Sequence, residues 1–171
     1  MNNKNKLYPK FETEGKGFFN QIKKVEHPFL QQLVDMNAAV IFMGNEFTVY
    51  GCDLVGVLLF IYDDSVELEC ISTDPAKRKN GQATEMMKAL IEVSNRTNIP
   101  ITLRTANVTG NGWQMMQHPV VALGMNKKNK IPTAKLKGFY EKFGFKVIEK
   151  VKAGYRMIYT PVIVTTPEVN S

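Results

Sequence analysis

Between the apolar run Val66 to Thr73 and a helix-periodic stretch starting near Gly81 lies Asp74-Pro-Ala-Lys-Arg-Lys-Asn-Gly-Gln-Ala, a glycine-bearing loop that feeds directly into a helix. Such a loop binds anions. The first backbone N–H groups of a helix have no intrahelical partner, and the positive end of its dipole points the same way. Gly81 lets the backbone approach a phosphate with no Cβ in between. Lys77, Arg78 and Lys79 add charge. On pattern alone, a solvated basic turn before an ordinary helix fits as well. Just upstream, Val66-Glu-Leu-Glu-Cys-Ile-Ser-Thr alternates, which sets Glu67 and Glu69 on one side of a strand. Two carboxylates there are costly unless solvated or used, and their use would be proton abstraction. The plainer alternative is a pair of glutamates facing solvent or a lysine.

A second group lies near the end of the chain, in Lys137-Gly-Phe-Tyr-Glu-Lys-Phe-Gly-Phe-Lys-Val. Leu136, Phe139, Tyr140 and Phe143 line one apolar helical face, so Tyr140 taken alone is a core aromatic. Gly138 inside this short helix costs about 1 kcal/mol relative to alanine, which suggests something passing close to it.

These residues need elements to hold them. Residues 1–15 are polar and read as a loose arm or a short first strand. From Gly17 to about Met36, apolar residues recur at roughly helical spacing with Pro28 interrupting, which predicts two helices meeting there. Ala38 to Met43 suits a helix end or a strand equally. Glu46 to Tyr50, Leu54 to Tyr62 and Val66 to Thr73, separated by turns at Gly51-Cys-Asp and Asp63-Asp-Ser, predict a three-stranded meander. A helix from Gly81 to near Asn95 follows, with Met86 and Met87 in its core face, and then a strand at Ile101 to Thr105. Residues 107–131 are irregular, a length that is usually functional or mobile. A helix from about Pro132 to Phe143, closed by Gly144, precedes strands at Phe145 to Val151 and Tyr155 to Ile163 and a polar tail, 164–171. The order predicts one domain over 1–171: an α/β fold with a mixed, mostly antiparallel sheet and helices on both faces.

Arg78-Lys-Asn-Gly-Gln-Ala83 matches Q/R-x-x-G-x-G/A, the pyrophosphate motif of the GNAT acetyltransferases, and Phe139-Tyr140 with Gly144-Phe145 resembles that family's later signature. The resemblance runs from about Phe47 to Thr160. It implies the GNAT fold, acetyl-coenzyme A as co-substrate, and direct transfer to an amine with no covalent enzyme intermediate and no metal. It implies that Arg78, Lys79, Asn80, Gly81, Gln82, Ala83 and Thr84 hold the pyrophosphate. Backbone groups of Ile71 and Thr73 would pair with the pantetheine arm, with Phe139 beside it. It gives Tyr140 the role of acid toward the departing sulfur. Glu67 falls where several relatives carry a base, with Glu69 on the same side. Thr133 stands where many relatives have a coenzyme-contacting asparagine. Under direct transfer, Cys70 is a buried strand residue rather than a nucleophile.

Composition excludes other classes. At 44% hydrophobic and 22% charged the chain is an ordinary globular protein. The longest apolar run, Leu54 to Tyr62, falls far short of the ~20 residues of a membrane-spanning helix, so no membrane partner is expected. No apolar stretch follows the basic N-terminus, and Cys52 and Cys70 form no disulfide framework, which together point to the cytoplasm. A net charge of +6 suits a phosphate-bearing coenzyme or a nucleic acid. Lys127, Lys128, Lys130, Lys135 and Lys137 would suit a tRNA-directed, toxin-like transferase, but the interleaved aromatics of a stacking surface are missing. A protein or small-molecule amine is therefore the favoured acceptor, with Trp113, Met115, Met116 and His118 as candidate contacts. A coenzyme-binding module without chemistry is the remaining alternative. Monomer and homodimer are both compatible with the sequence.

Overall fold

The computed structural model describes residues 5–15, 20–43, 46–50, 55–73, 81–105 and 131–163. Among them, the alternating segments pair into one sheet of nine strands: β1 (Phe11–Glu14), β2 (Gln21–Val25), β3 (Ala39–Met43), β4 (Glu46–Tyr50), β5 (Val55–Ile61), β6 (Val66–Thr73), β7 (Ile101–Arg104), β8 (Lys146–Val151) and β9 (Gly154–Tyr159). Their order is β1-β2-β3-β4-β5-β6-β7-β9-β8. Only β6 and β7 run parallel; every other neighbouring pair is antiparallel. Among the described residues three helices accompany the sheet: α1 (Pro28–Asp35), α2 (Gln82–Thr97) and α3 (Thr133–Glu141). This is the mixed, mostly antiparallel α/β class expected from the element order.

The core lies between the sheet and α1 and α2, which touch each other and so share a face. Phe47, Val49, Val57, Leu59, Val66 and Leu68 meet Phe29, Leu30 and Leu33 of α1 and Met87, Leu90 and Val93 of α2, all at 2% exposure or less. Full burial of each such side chain stabilises by about 1.5–3 kcal/mol. Pro28 opens α1 at a position where its missing N–H costs nothing. Helix α2 stops at Asn98, left-handed at φ 56°, whose N–H bonds the Ser94 carbonyl.

Two helices do not meet at Pro28, because Gln21–Val25 is a strand. Phe11 pairs with Val25 and Glu12 with Lys24, but Thr13 then pairs with Ile22, so Lys23 is an extra residue. Such a bulge sets two residues against one, which turns both Ile22 and Val25 inward although they are three apart. That spacing is what imitates a helix. Ala39–Met43 is a strand, which decides an open alternative. The polar N-terminal segment supplies β1, and Lys6 ahead of it bridges Tyr62. At the other end, β9 leaves the sheet at Tyr159 rather than Ile163. Pro161 has no N–H to give to a ladder, and the Val162 N–H donates instead to Asn95 Oδ1 at 2.9 Å. That same oxygen accepts the Tyr159 hydroxyl at 2.9 Å, tying α2 to β9.

His27 immediately precedes α1 and is 8% exposed, and its Nδ1 has no hydrogen-bond partner among the described residues. Burial lowers its pKa below the ordinary imidazole value. The folded state therefore binds fewer protons here than the unfolded chain. Stability contributed by neutral His27 is whole above about pH 6.5 and is lost as pH falls from there toward the folded value. Urea unfolding at pH 7.5 and 5.5 should show weaker stability at the lower pH, and His27→Gln should flatten that difference. Equal slopes in both proteins would remove His27 as the cause.

Candidate functional site

Strand β6 outlasts its parallel partner. The β6–β7 ladder consists of Val66 with Ile101, Glu67 with Thr102 and Leu68 with Leu103, whereas β6 continues along β5 to Thr73. The residue after the last pair, Glu69, is the extra one of a bulge, since Leu59 faces Leu68 and Leu58 faces Cys70. A bulge bends and twists its strand, and here it falls where the ladder ends. The result is a wedge between two strands, with Cys70 to Thr73 along one side.

Helix α2 follows β6 in the chain and packs against it. Gly81 is left-handed at φ 77°, a Cβ on it would meet nothing within 4 Å, and no side chain of the described residues caps the helix. The Gln82 side-chain oxygen is buried with no partner among the described residues, which is unusual for a native polar atom and leaves capacity for a ligand. Ala83 and Thr84 complete the half-buried first turn. Lys77, Arg78, Lys79 and Asn80 lie outside the described residues, as do Trp113, Met115, Met116, His118, Lys127, Lys128 and Lys130.

Tyr140 comes to the wedge from α3. It is 7% exposed, with ring contacts to Phe139 at 5.3 Å and Phe145 at 5.7 Å between centroids. Burial first, and then the nearby Cys70, hold its phenol well above the ordinary tyrosine value, so it is protonated at any physiological pH. Cys70 is half-buried, and desolvation followed by Glu69 and Glu46 pushes its thiol up to about 12. A thiol so placed is a poor nucleophile. Thr133 is the first residue of α3, half-buried behind Pro132. A Cβ at Gly138 would meet nothing within 4 Å, so no contact in the structure demands glycine there.

The two glutamates of β6 belong to a larger polar group. Phe47 faces Leu59, so Glu46 falls next to Phe60, which faces Glu67, which faces Thr102. The Tyr62 hydroxyl donates to the Glu67 carboxylate, and burial followed by Glu67 pushes that phenol up to about 12. Burial, then Glu67 and Glu46, raise the pKa of Glu69 above the usual carboxylate range, while Arg104 and Lys6 pull the other way. A raised carboxylate is a better proton acceptor than an exposed one. Glu46, Tyr62, Arg104 and Lys6 escaped the sequence reading. Hairpin register counted from the Asp63-Asp64 turn would have found the Glu46–Phe60–Glu67 row. Among the described residues, no group of three or more His, Cys, Asp or Glu side chains is placed to hold a metal ion, and no helix is long and apolar enough to cross a membrane.

No protein-family model matches the sequence, and no curated protein is similar to it. Among solved structures, the chain is similar to a GNAT-family protein from Bacteroides thetaiotaomicron, at 15% identity and a TM-score of 0.45, covering 78% of this chain and 68% of that one. It is similar to the PaiA N-acetyltransferase of Thermoplasma acidophilum, solved with coenzyme A, at 13% identity and a TM-score of 0.42, over 77% and 69% of the two chains. It is also similar to the anti-CRISPR protein AcrVA5, at 14% identity and a TM-score of 0.42, over 72% and 98%. Likeness at this level carries no chemistry from one protein to another.

Proposed function

We propose that the chain is an N-acyltransferase that moves an acetyl group from acetyl-coenzyme A directly to an amine. The observation that supports this most is the wedge between β6 and β7, followed in the chain by the left-handed Gly81 at the start of α2 and lying within electrostatic reach of the buried Tyr140 phenol through Cys70. The diphosphate of the co-substrate would lie on the N–H groups of Gln82, Ala83 and Thr84, with Gly81 giving the backbone room to close on it. The pantetheine arm would run along β6 like an added strand, bonding the backbone of Ile71 and Thr73. The thioester would then lie near Cys70, between the Tyr140 phenol and the Glu67–Glu69 pair. Glu69 would accept a proton from the incoming ammonium, directly or through water. The amine nitrogen would then attack the carbonyl carbon, and the Tyr140 phenol would protonate the departing thiolate.

The test is calorimetric titration of acetyl-coenzyme A into the chain and two variants. Asp and Asn both tolerate a left-handed backbone, so Gly81→Asp and Gly81→Asn should both fold. Gly81→Asp, which puts a negative charge at the helix start, should weaken binding about tenfold or more, and Gly81→Asn much less. Absence of binding by the unaltered chain would sink the proposal.

A further inference from the structure

Ahead of β1 the chain folds back against the polar group of the site. Lys6 bridges Tyr62 in antiparallel fashion and the Leu7 N–H donates to the Ile61 carbonyl at 2.8 Å, along the part of β5 that extends past β4. The Lys6 ammonium sits 3.5 Å from the centroid of the Phe60 ring, a favourable cation–π placement. Phe60 directly faces Glu67, and Glu46 is its neighbour on β4. Lys6 also lies within electrostatic reach of Glu46, Glu69 and Glu67. A primary amine is thus held over an aromatic ring, within electrostatic reach of three carboxylates and near the bulge at which β6 leaves β7.

We propose that Lys6 is itself an acceptor, and that the chain acetylates its own N-terminal segment in cis. This rests on the acyltransferase reading above. The Lys6 ammonium gives one proton to Glu69, directly or through water. Its nitrogen pair forms a bond to the thioester carbonyl carbon, and the carbon–sulfur bond breaks. The thiolate takes the Tyr140 proton, the second proton lost by the nitrogen restores the phenol, and Glu69 releases the first to solvent, leaving an amide, free coenzyme A and one released proton. Burial lowers the pKa of Lys6 despite its acidic neighbours, which favours the neutral amine. Acetylation cancels the positive charge facing the three carboxylates, so the product no longer matches the place that held the substrate.

The full chain incubated with acetyl-coenzyme A, followed by mass spectrometry of its peptides, should show Lys6 modified about tenfold or more faster than Lys10, which is exposed in the same segment. The rate should not change when the protein is diluted, and Gly81→Asp should abolish the preference for Lys6. Lys6 reacting no faster than Lys10, while calorimetry shows the co-substrate bound, overturns the proposal and leaves the acyltransferase reading standing. A rate that rises with protein concentration overturns transfer in cis. No binding of the co-substrate removes both.

Discussion

Replacing Tyr140 with phenylalanine is expected to slow acetyl transfer about 10²–10⁴-fold, the usual worth of a positioned proton donor, while coenzyme affinity stays unchanged. Three observations set this expectation. The phenol is buried, that burial favours its protonated form, and it lies within electrostatic reach of Cys70 on β6. Phenylalanine keeps the ring contacts to Phe139 and Phe145, so the aromatic packing of α3 survives. Calorimetry and single-turnover rates with the same amine, or with Lys6, separate the two effects. A variant that turns over as fast as the unaltered chain would return Tyr140 to the role of a core aromatic. Loss of binding instead would mean that the side chain shapes the co-substrate pocket rather than donating a proton.

The largest loss of stability is expected from Gly154→Ala, about 3–5 kcal/mol by urea denaturation, combining backbone strain with overpacking. Gly154 opens β9 at φ 149°, a region that side-chain-bearing residues rarely adopt. A Cβ there would strike the Thr105 carbonyl oxygen and lie 2.8 Å from Thr105 Oγ1 and 3.1 Å from its carbonyl carbon. Thr105 cannot yield, because it is 1% exposed and bonded twice to Tyr155: its N–H donates to the Tyr155 carbonyl at 2.9 Å, and its Oγ1 accepts the Tyr155 N–H at 3.0 Å. Relief requires parting β9 from the chain just beyond β7. Gly138→Ala is the contrast, since open space surrounds that position and the helix gains about 1 kcal/mol. A loss at Gly154 below about 1 kcal/mol would mean that the hairpin can shift as a unit.

Where one face of a strand or helix is buried and the other solvated, the sequence spells the element out. This is why β6, α2, β7 and α3 lie within a residue or two of where the sequence puts them, whereas β4 and β5, buried on both faces, stand out as short apolar runs between turns. β2 was not, because the extra Lys23 breaks the period of two on which strand recognition depends. For the candidate site, Glu67, Glu69, Gly81 and Tyr140 could be found because each stands in a motif or an alternation. Lys6 could not, since its place depends on the arm docking against Ile61 and Tyr62, a contact between residues more than fifty positions apart. The β6 bulge was equally hidden. Nothing in Glu-Leu-Glu-Cys marks one residue as extra until its pairing with Leu58 and Leu59 is known.

The strand order also divides the sheet by the length of chain each pairing has to close. From β1 to β6 every strand lies beside its neighbour in sequence, so each step closes a modest loop. β9 instead inserts between β7 and β8, and joining Thr105 to Tyr155 closes a loop of fifty residues. Closure entropy grows with loop length, so the first six strands can pair by local steps, whereas β9 depends on a long-range one. A chain emerging from its ribosome has Lys6, Glu67 and Glu69 early, but Tyr140 packs on Phe145, which in turn packs on Tyr159 of the last strand formed. The proposed chemistry would therefore arrive only with the last strand, and a half-made chain would be silent.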